Sequence, residues 1–243
     1  MSGGVIFQEC LRVVGAHTLH QVAERDVVGA LEAARRNGPL DLLYDCGAEA
    51  HLPRPALLTR GAAIFFSYAA GNLADDVADD DCTYLDEPVR TGPCVQFILQ
   101  NLFFSTALRA QVKADVLDEV VALLARAGGP QLLEVRTRRW TMDLARAVGE
   151  SIAGLQYAAY LRFLWADTTL ESRARAVGLA LGVAGHVAKD VATKDPRVAS
   201  LPRSSARELV AWAKAQADAL RKENLACLTP MLRYIDPILQ HAI

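Results

Sequence analysis

Seven acids stand between Asp75 and Glu87 (Asp75, Asp76, Asp79, Asp80, Asp81, Asp86 and Glu87), with no base before Arg90. Such a block repels itself unless water or cations screen it, so it reads either as a solvated loop after a helix or as a cation site. The residues ahead of it favour the second use. Ala62 to Ala74 forms an apolar run that reads as a helix delivering the first carboxylates at the end of a buried element. On that helix Asp75 and Asp79 are one turn apart and share a face, with Asp76 beside them. A hard divalent cation takes several carboxylate oxygens, and Mg²⁺ keeps positions open for water and substrate phosphates. Carboxylates at the end of an apolar groove suit a ligand with a diphosphate head and a hydrocarbon tail.

The other chemistry-bearing residues are sparser. His17 and His20 read as sharing a helix face without acids or cysteines nearby, which makes them surface or core imidazoles rather than ligands. Cys10, Cys46, Cys82, Cys94 and Cys227 lie far apart with no CxxC pair, the pattern of reduced thiols. Trp140, Trp165 and Trp212 fall at unrelated positions and read as core. His186 either lines a cavity or packs.

Asp75-Asp76-Val77-Ala78-Asp79 resembles the first aspartate motif, DDxxD, of the polyprenyl synthetase family in the trans-isoprenyl diphosphate synthase superfamily, and Asp81 sits where the longer form of that motif ends. Arg90-Thr91-Gly92-Pro93 is similar to the family's Arg-Arg-Gly-x-Pro. His51-Leu52-Pro53-Arg54-Pro55 is similar, at Arg54 and Pro55, to its Gly-Gly-Lys-x-Leu-Arg-Pro segment. The family's second motif, GxxxQxxDDxxD, falls on Gly182 to Thr193: Gly182 and Asp190 match, His186 replaces glutamine, Lys189 the first aspartate and Thr193 the last. The family's Lys-Thr pair is absent. Squalene and phytoene synthases, neighbours in the same superfamily, are echoed more weakly in Lys189-Asp190, Asp195 and Leu201-Pro202.

The resemblance implies an all-α, isoprenoid-synthase-like bundle of long antiparallel helices around a central cavity, with residues 1–243 as a single domain. It implies a Mg²⁺-dependent prenyltransferase that makes a short or medium isoprenyl diphosphate from an allylic prenyl diphosphate and isopentenyl diphosphate, as a homodimer. Asp75, Asp76, Asp79 and Asp190 would be metal ligands. Asp75, Asp76 and Lys189 would carry catalysis, and His51, Arg54, Arg90, Tyr68 and His186 would contact substrate. Lys189 would either bring positive charge to the diphosphate in place of a metal, or be a surface residue of a helix that has lost its role. Tyr68 and Ile64 would stop the tail below Asp75, with Ala70 and Gly71 leaving room above. Two other readings stay open. One is a class I terpene cyclase or diphosphate lyase, which needs no second-substrate site; the other is a non-catalytic prenyl-binding or partner subunit.

The elements that must position these residues are helical. The chain has 243 residues, is 52% hydrophobic and is rich in alanine and leucine, with apolar residues at three- and four-residue spacing, as in Val116, Val120, Leu123 and Leu124. Breaks at Asn37-Gly38-Pro39, Pro53, Gly92-Pro93, Gly128-Gly129-Pro130, Pro196 to Pro202 and Pro230 predict helices over about 5–36, 55–80, 93–127, 131–166, 169–194 and 204–229. Thr168 with Glu171, and Ser205 with Glu208, have capping-box spacing. The net charge of −2 is far from the basic field that gathers nucleic acid. No basic n-region followed by a long apolar run opens the chain, and no apolar stretch is long enough to span a membrane, which predicts a cytoplasmic protein.

Overall fold

The computed structural model describes residues 3–242, and every regular element among them is a helix. The chain divides between Lys113 and Ala114 into two compact units.

The first unit holds α1 (Gly4–Ala16), α2 (Gln21–Asn37), α3 (Leu40–Glu49), α4 (Arg54–Ala78) and α5 (Pro88–Arg109). The spine is α4. It starts behind Pro53 and carries Pro55 in its first turn, where a missing N–H is harmless. Leu57, Ala62, Ile64, Phe65, Phe66, Ala69, Ala70 and Leu73 are all buried, so the helix is apolar around most of its circumference, as a central helix must be. The other four helices of the unit pack on it. Small residues set how closely they approach. A Cβ on Gly61 would lie 2.7 Å from Ile6 Cδ1 in α1, and one on Gly92 in α5 would lie 3.0 Å from Val77 Cγ2.

The second unit holds α6 (Ala114–Arg136), α7 (Met142–Val148), α8 (Leu155–Leu164), α9 (Ala174–Thr193), the short α10 (Pro196–Ala199), α11 (Arg203–Lys222) and α12 (Thr229–His241). A π-helical turn, Gly149–Gly154, joins α7 and α8 into one helical run. Here α9 is the spine. Its Gly178 and Gly182 lie against the carbonyls of Tyr157 and Ala153, where an added Cβ would come within 2.4 and 2.2 Å. Ala184, Val187 and Ala188 of α9 share a core with Leu209, Val210 and Ala213 of α11 and with Ile235 and Leu239 of α12. Arg162 on α8 ties the unit together at its surface, reaching Glu119 of α6 at 2.7 Å and Glu171 at 2.9 Å.

Several boundaries differ from the sequence expectation. The expected helix over 5–36 is two helices, with His17 and His20 in the break; His20 accepts from Val22 N as the cap of α2, and His17 Nδ1 lies 2.8 Å from Val13 O. The expected helix over 93–127 begins earlier, at Pro88, and breaks at Gln111, whose φ of 53° reverses the chain. Gly128-Gly129-Pro130 does not break α6, because buried Val120, Leu123 and Ala127 hold the helix by one face while the glycines meet nothing within 4 Å. Thr168 and Glu171 do cap a turn, through Leu170 N and Asp167 N respectively. Ser205 and Glu208 lie inside α11, which starts behind Pro202 instead. Helices α3 and α12 were not expected; their short patterns lay between signals read as breaks.

The glycine contacts give a test. Gly182→Ala puts a methyl into a carbonyl and should lower Tm by about 5–10 °C, whereas Gly128→Ala only improves helix propensity and should raise it by about 1–3 °C. Thermal melts of both variants check this; a Gly182→Ala melt equal to the parent's would mean that α9 and the π-helical turn are not in backbone contact.

Candidate functional site

The last turn of α4 sets the geometry of the acidic cluster. Asp79 caps the helix, Asp80 follows in the left-handed region at φ 61°, and the amides of Asp80 and Asp81 bond back to the carbonyls of Val77 and Asp76. This is the Schellman pattern, with an aspartate in the position that glycine usually fills. It leaves Asp75 and Asp79 one turn apart on a face that also carries Tyr68, Asn72 and Asp76. Asn72 Nδ2 and the Tyr84 hydroxyl both donate to Asp76 Oδ2 at 2.8 Å. Burial, then Asp76 and Asp75, pushes the Tyr68 phenol up to about 12. The Tyr84 phenol is also held well above its ordinary value, by burial and then by its bond to Asp76.

The segment beyond Asp79 is anchored rather than loose. Cys82 and Leu85 are buried, Tyr84 is bonded to Asp76, and Arg25 of α2 reaches Asp26 at 3.0 Å and Asp86 at 3.2 Å. An open cleft of about 640 Å³ lies here, lined by Gln21, Arg25, Glu32, Tyr84 and Asp86 among others. Tyr84, which lines it, is the residue bonded to Asp76.

The sequence-predicted residues of the first unit fall into two groups. Tyr68, Asp75, Asp76 and Asp79 lie along one face of α4. Arg90 is in the first turn of α5, which packs on the last turn of α4 through Gly92; it pairs with Glu87 at 3.2 Å and is largely exposed. His51 and Arg54, however, are at the opposite end of α4. Twenty-one residues of helix separate Arg54 from Asp75, about 31 Å. A base there cannot touch a diphosphate held at Asp75, nor that of a five-carbon partner whose double bond must reach the same carbon. The placing of His51 and Arg54 at the head group is corrected: the Arg-Pro match marks a proline-started helix. The ring of Tyr68 stacks on Phe65, 6.1 Å between centroids, and lies beside Gly38 at the end of α2.

In the second unit the degenerate motif turns its residues in two directions. Lys189 and Thr193, one turn apart, are exposed, and Thr193 Oγ1 is spent on the Lys189 carbonyl. Asp190 is only 3% exposed and lies 3.2 Å from Arg197 Nε and 3.5 Å from His186 Nε2. Asp190 is therefore an ion-pair partner of Arg197, a correction to its reading as a metal ligand, while Lys189 beside it is exposed. Burial pushes the Asp190 carboxyl up to about 7 despite Arg197, and burial, then Arg197 and Lys189, lowers His186 to about 3. Asn72, Tyr84 and Arg197 were not singled out by sequence. Asn72 stands one helical turn before Asp76, a readable spacing, while Tyr84 and Arg197 are returned to their partners by left-handed turns at Asp80 and Lys194 that no spacing announces.

Among the described residues no three His, Cys, Asp or Glu side chains converge as a protein-built metal cage. Asp75 and Asp79 at the carbonyl end of α4 do fit Mg²⁺, which is commonly held by one or two carboxylates with water and substrate phosphate completing its shell, and which the helix dipole favours there.

A structure of an isoprenoid synthase family member from Thermotoga neapolitana superposes with a TM-score of 0.74 over 98% of this chain and 99% of that one, at 15% identity. The chain has the isoprenoid synthase fold. A geranyltranstransferase from Thermotoga maritima shares this fold with a TM-score of 0.68 at 14% identity, covering 96% of each chain. A Caulobacter crescentus polyprenyl synthase, complexed with calcium and isoprenyl diphosphate, shares it with a TM-score of 0.64 at 16% identity, over 96% of this chain and 92% of that one. No family model and no curated protein sequence matches the chain. No helix among the described residues is long and apolar enough to cross a membrane.

The Asp190–His186 pair generates a pH prediction with opposed signs. Asp190 titrates near 7 when folded against 3.8 ordinarily, so the stability it contributes is full below about pH 3.8 and lost as pH rises to about 7. His186 titrates near 3 against 6.5, so its contribution is full above about pH 6.5 and lost as pH falls toward 3. Asp190→Asn removes only the first, and the Tm of the variant relative to the parent should therefore increase from pH 4 to pH 7.5. A difference independent of pH would show that Asp190 titrates as an ordinary carboxylate.

Proposed function

We propose that this chain is a Mg²⁺-dependent prenyltransferase of isoprenoid biosynthesis that binds an allylic prenyl diphosphate at the C-terminal end of α4 and produces a short or medium isoprenyl diphosphate. One observation carries the reading: Asp75, Asp76 and Asp79 stand at the end of a helix buried along most of its length, in a chain with the isoprenoid synthase fold. Asp75 and Asp79 would hold the metal. Bound there, Mg²⁺ supplies positive charge that stabilises the departing diphosphate. Asp76 is held in place by Asn72 and Tyr84, which both donate to it. Arg90, at the same end of the α4–α5 pair, is within the region from which a phosphate oxygen can be contacted once it leaves Glu87.

The loss of Arg54 and His51 from this end favours a second reading, a class I cyclase or lyase, since neither of the two residues expected at a second diphosphate lies near Asp75. A homodimer also remains a proposal; the exposed apolar row Phe97, Phe104 and Leu108 along α5 is the surface on which light scattering of a Phe104→Lys variant would test it.

Product analysis after incubation with Mg²⁺ and an allylic diphosphate separates the readings. Elongated diphosphate that appears only with isopentenyl diphosphate supports the prenyltransferase; hydrocarbon or alcohol without it supports the cyclase or lyase; no product supports a binding subunit. In calorimetry the parent should bind Mg²⁺ far better when inorganic diphosphate is present, and Asp76→Ala should weaken that binding by about tenfold or more. Equal binding in both proteins removes the head-group assignment.

Tyr68 sits seven residues before Asp75 on the same face, about 10 Å down the helix, with its ring braced by Phe65. A tail running along that face stops there. Tyr68→Ala should lengthen the prenyl chain accepted or made, and Ala70→Phe should shorten it; unchanged chain-length distributions in both would place the hydrocarbon elsewhere.

A further inference from the structure

We propose that the guanidinium of Arg197 is the resident cation of the degenerate second aspartate motif, and that no divalent metal binds there. The claim is independent of which reaction the chain performs. It starts from the way α9 ends. Lys194 adopts φ 56° and ψ 40°, and the amide of Asp195 bonds back to the carbonyl of Asp190 at 2.8 Å, so the chain reverses immediately after the motif. Asp195 then caps α10, accepting from Arg197 N at 2.8 Å, and this turn returns the Arg197 side chain toward α9.

The guanidinium is saturated with carboxylates. Arg197 Nε donates to Asp195 Oδ1 at 2.9 Å and lies 3.2 Å from Asp190 Oδ2; Nη2 donates to Asp195 Oδ2 at 2.8 Å; Nη1 donates to Glu134 of α6. Arg197 and Glu134 are both mostly buried, so this is an internal cluster rather than a surface pair. Burial works against the charge of Arg197, and the three acids more than offset it, holding the group above its ordinary value.

A divalent metal does not fit the same place. Carboxylates arranged around the three nitrogens of a planar fork are spread more widely than the shell of Mg²⁺, whose oxygens lie about 2.0–2.1 Å from the ion. The positions at which the motif resemblance would put the first and last aspartates hold Lys189 and Thr193, a cation and a hydroxyl in place of two carboxylates, and both are exposed while Asp190 is buried. Accordingly, no three acids among the described residues converge on one point.

Two measurements on the full chain test this. In Mn²⁺ titrations followed by electron paramagnetic resonance, with inorganic diphosphate present, Asp190→Asn should match the parent in stoichiometry, while Asp75→Asn should bind about tenfold more weakly. Loss of a bound Mn²⁺ in Asp190→Asn overturns the proposal. A parent that binds no Mn²⁺ at all leaves this proposal standing and removes the head-group site of the first unit instead. Arg197→Ala should lower Tm by about 5–10 °C, because it strands buried carboxylates. Millimolar propylguanidinium should restore at least half of that loss and Mg²⁺ should restore none. Restoration by Mg²⁺, or by neither cation, overturns the proposal.

Discussion

A carboxylate beside an apolar core needs a hydrogen-bond donor or a cation within reach, because removing its water is costly unless something replaces it. That requirement organises both units. In the first, Asp76 accepts from Asn72 and from Tyr84, which ties the acidic segment to the last turns of α4. In the second, Asp190, Asp195 and Glu134 share Arg197. The same type of residue is thus met by an amide and a hydroxyl in one place and by a guanidinium in the other.

Small residues make this arrangement possible. Gly61 lets α1 lie on α4, Gly92 lets α5 close over the last turn of α4, and Gly178 and Gly182 let α9 reach the backbone of α8 and the π-helical turn. Backbone contact of this kind fixes the rotation of each spine helix about its own axis. That rotation decides which motif positions face the interior, so in α9 it turns Asp190 inward and Lys189 outward.

The two aspartate motifs illustrate why residue type alone is a poor guide to a role. The first survives in type, and its side chains share a helix face. The second retains an aspartate at the matching position, yet its surroundings make that aspartate an acceptor for arginine. Likewise Arg54-Pro55 matches a diphosphate-binding segment by type while the length of α4 carries it about 31 Å from the acids.

The sequence by itself determined the all-helical class, because alanine- and leucine-rich runs with three- and four-residue apolar spacing admit little else. It also located Asp75, Asp76 and Asp79 at the end of an apolar helix, since their spacing is local and lies within one element. Most of the long helices were legible for the same reason; the break at Gln111 was not, because it rests on one left-handed backbone residue, and neither were the continuity of α6 through Gly128-Gly129-Pro130 and the short α3 and α12, where burial of one face outweighed the local signals. Tertiary structure alone decided the partners: Tyr84 for Asp76, Arg25 for Asp86, Arg197 for Asp190. Each of the first two is separated from its partner by a turn or by a neighbouring helix, and Arg197 by the left-handed residue that reverses the chain. The direction in which a side chain returns after such a turn depends on packing between helices, which no pattern along the chain encodes.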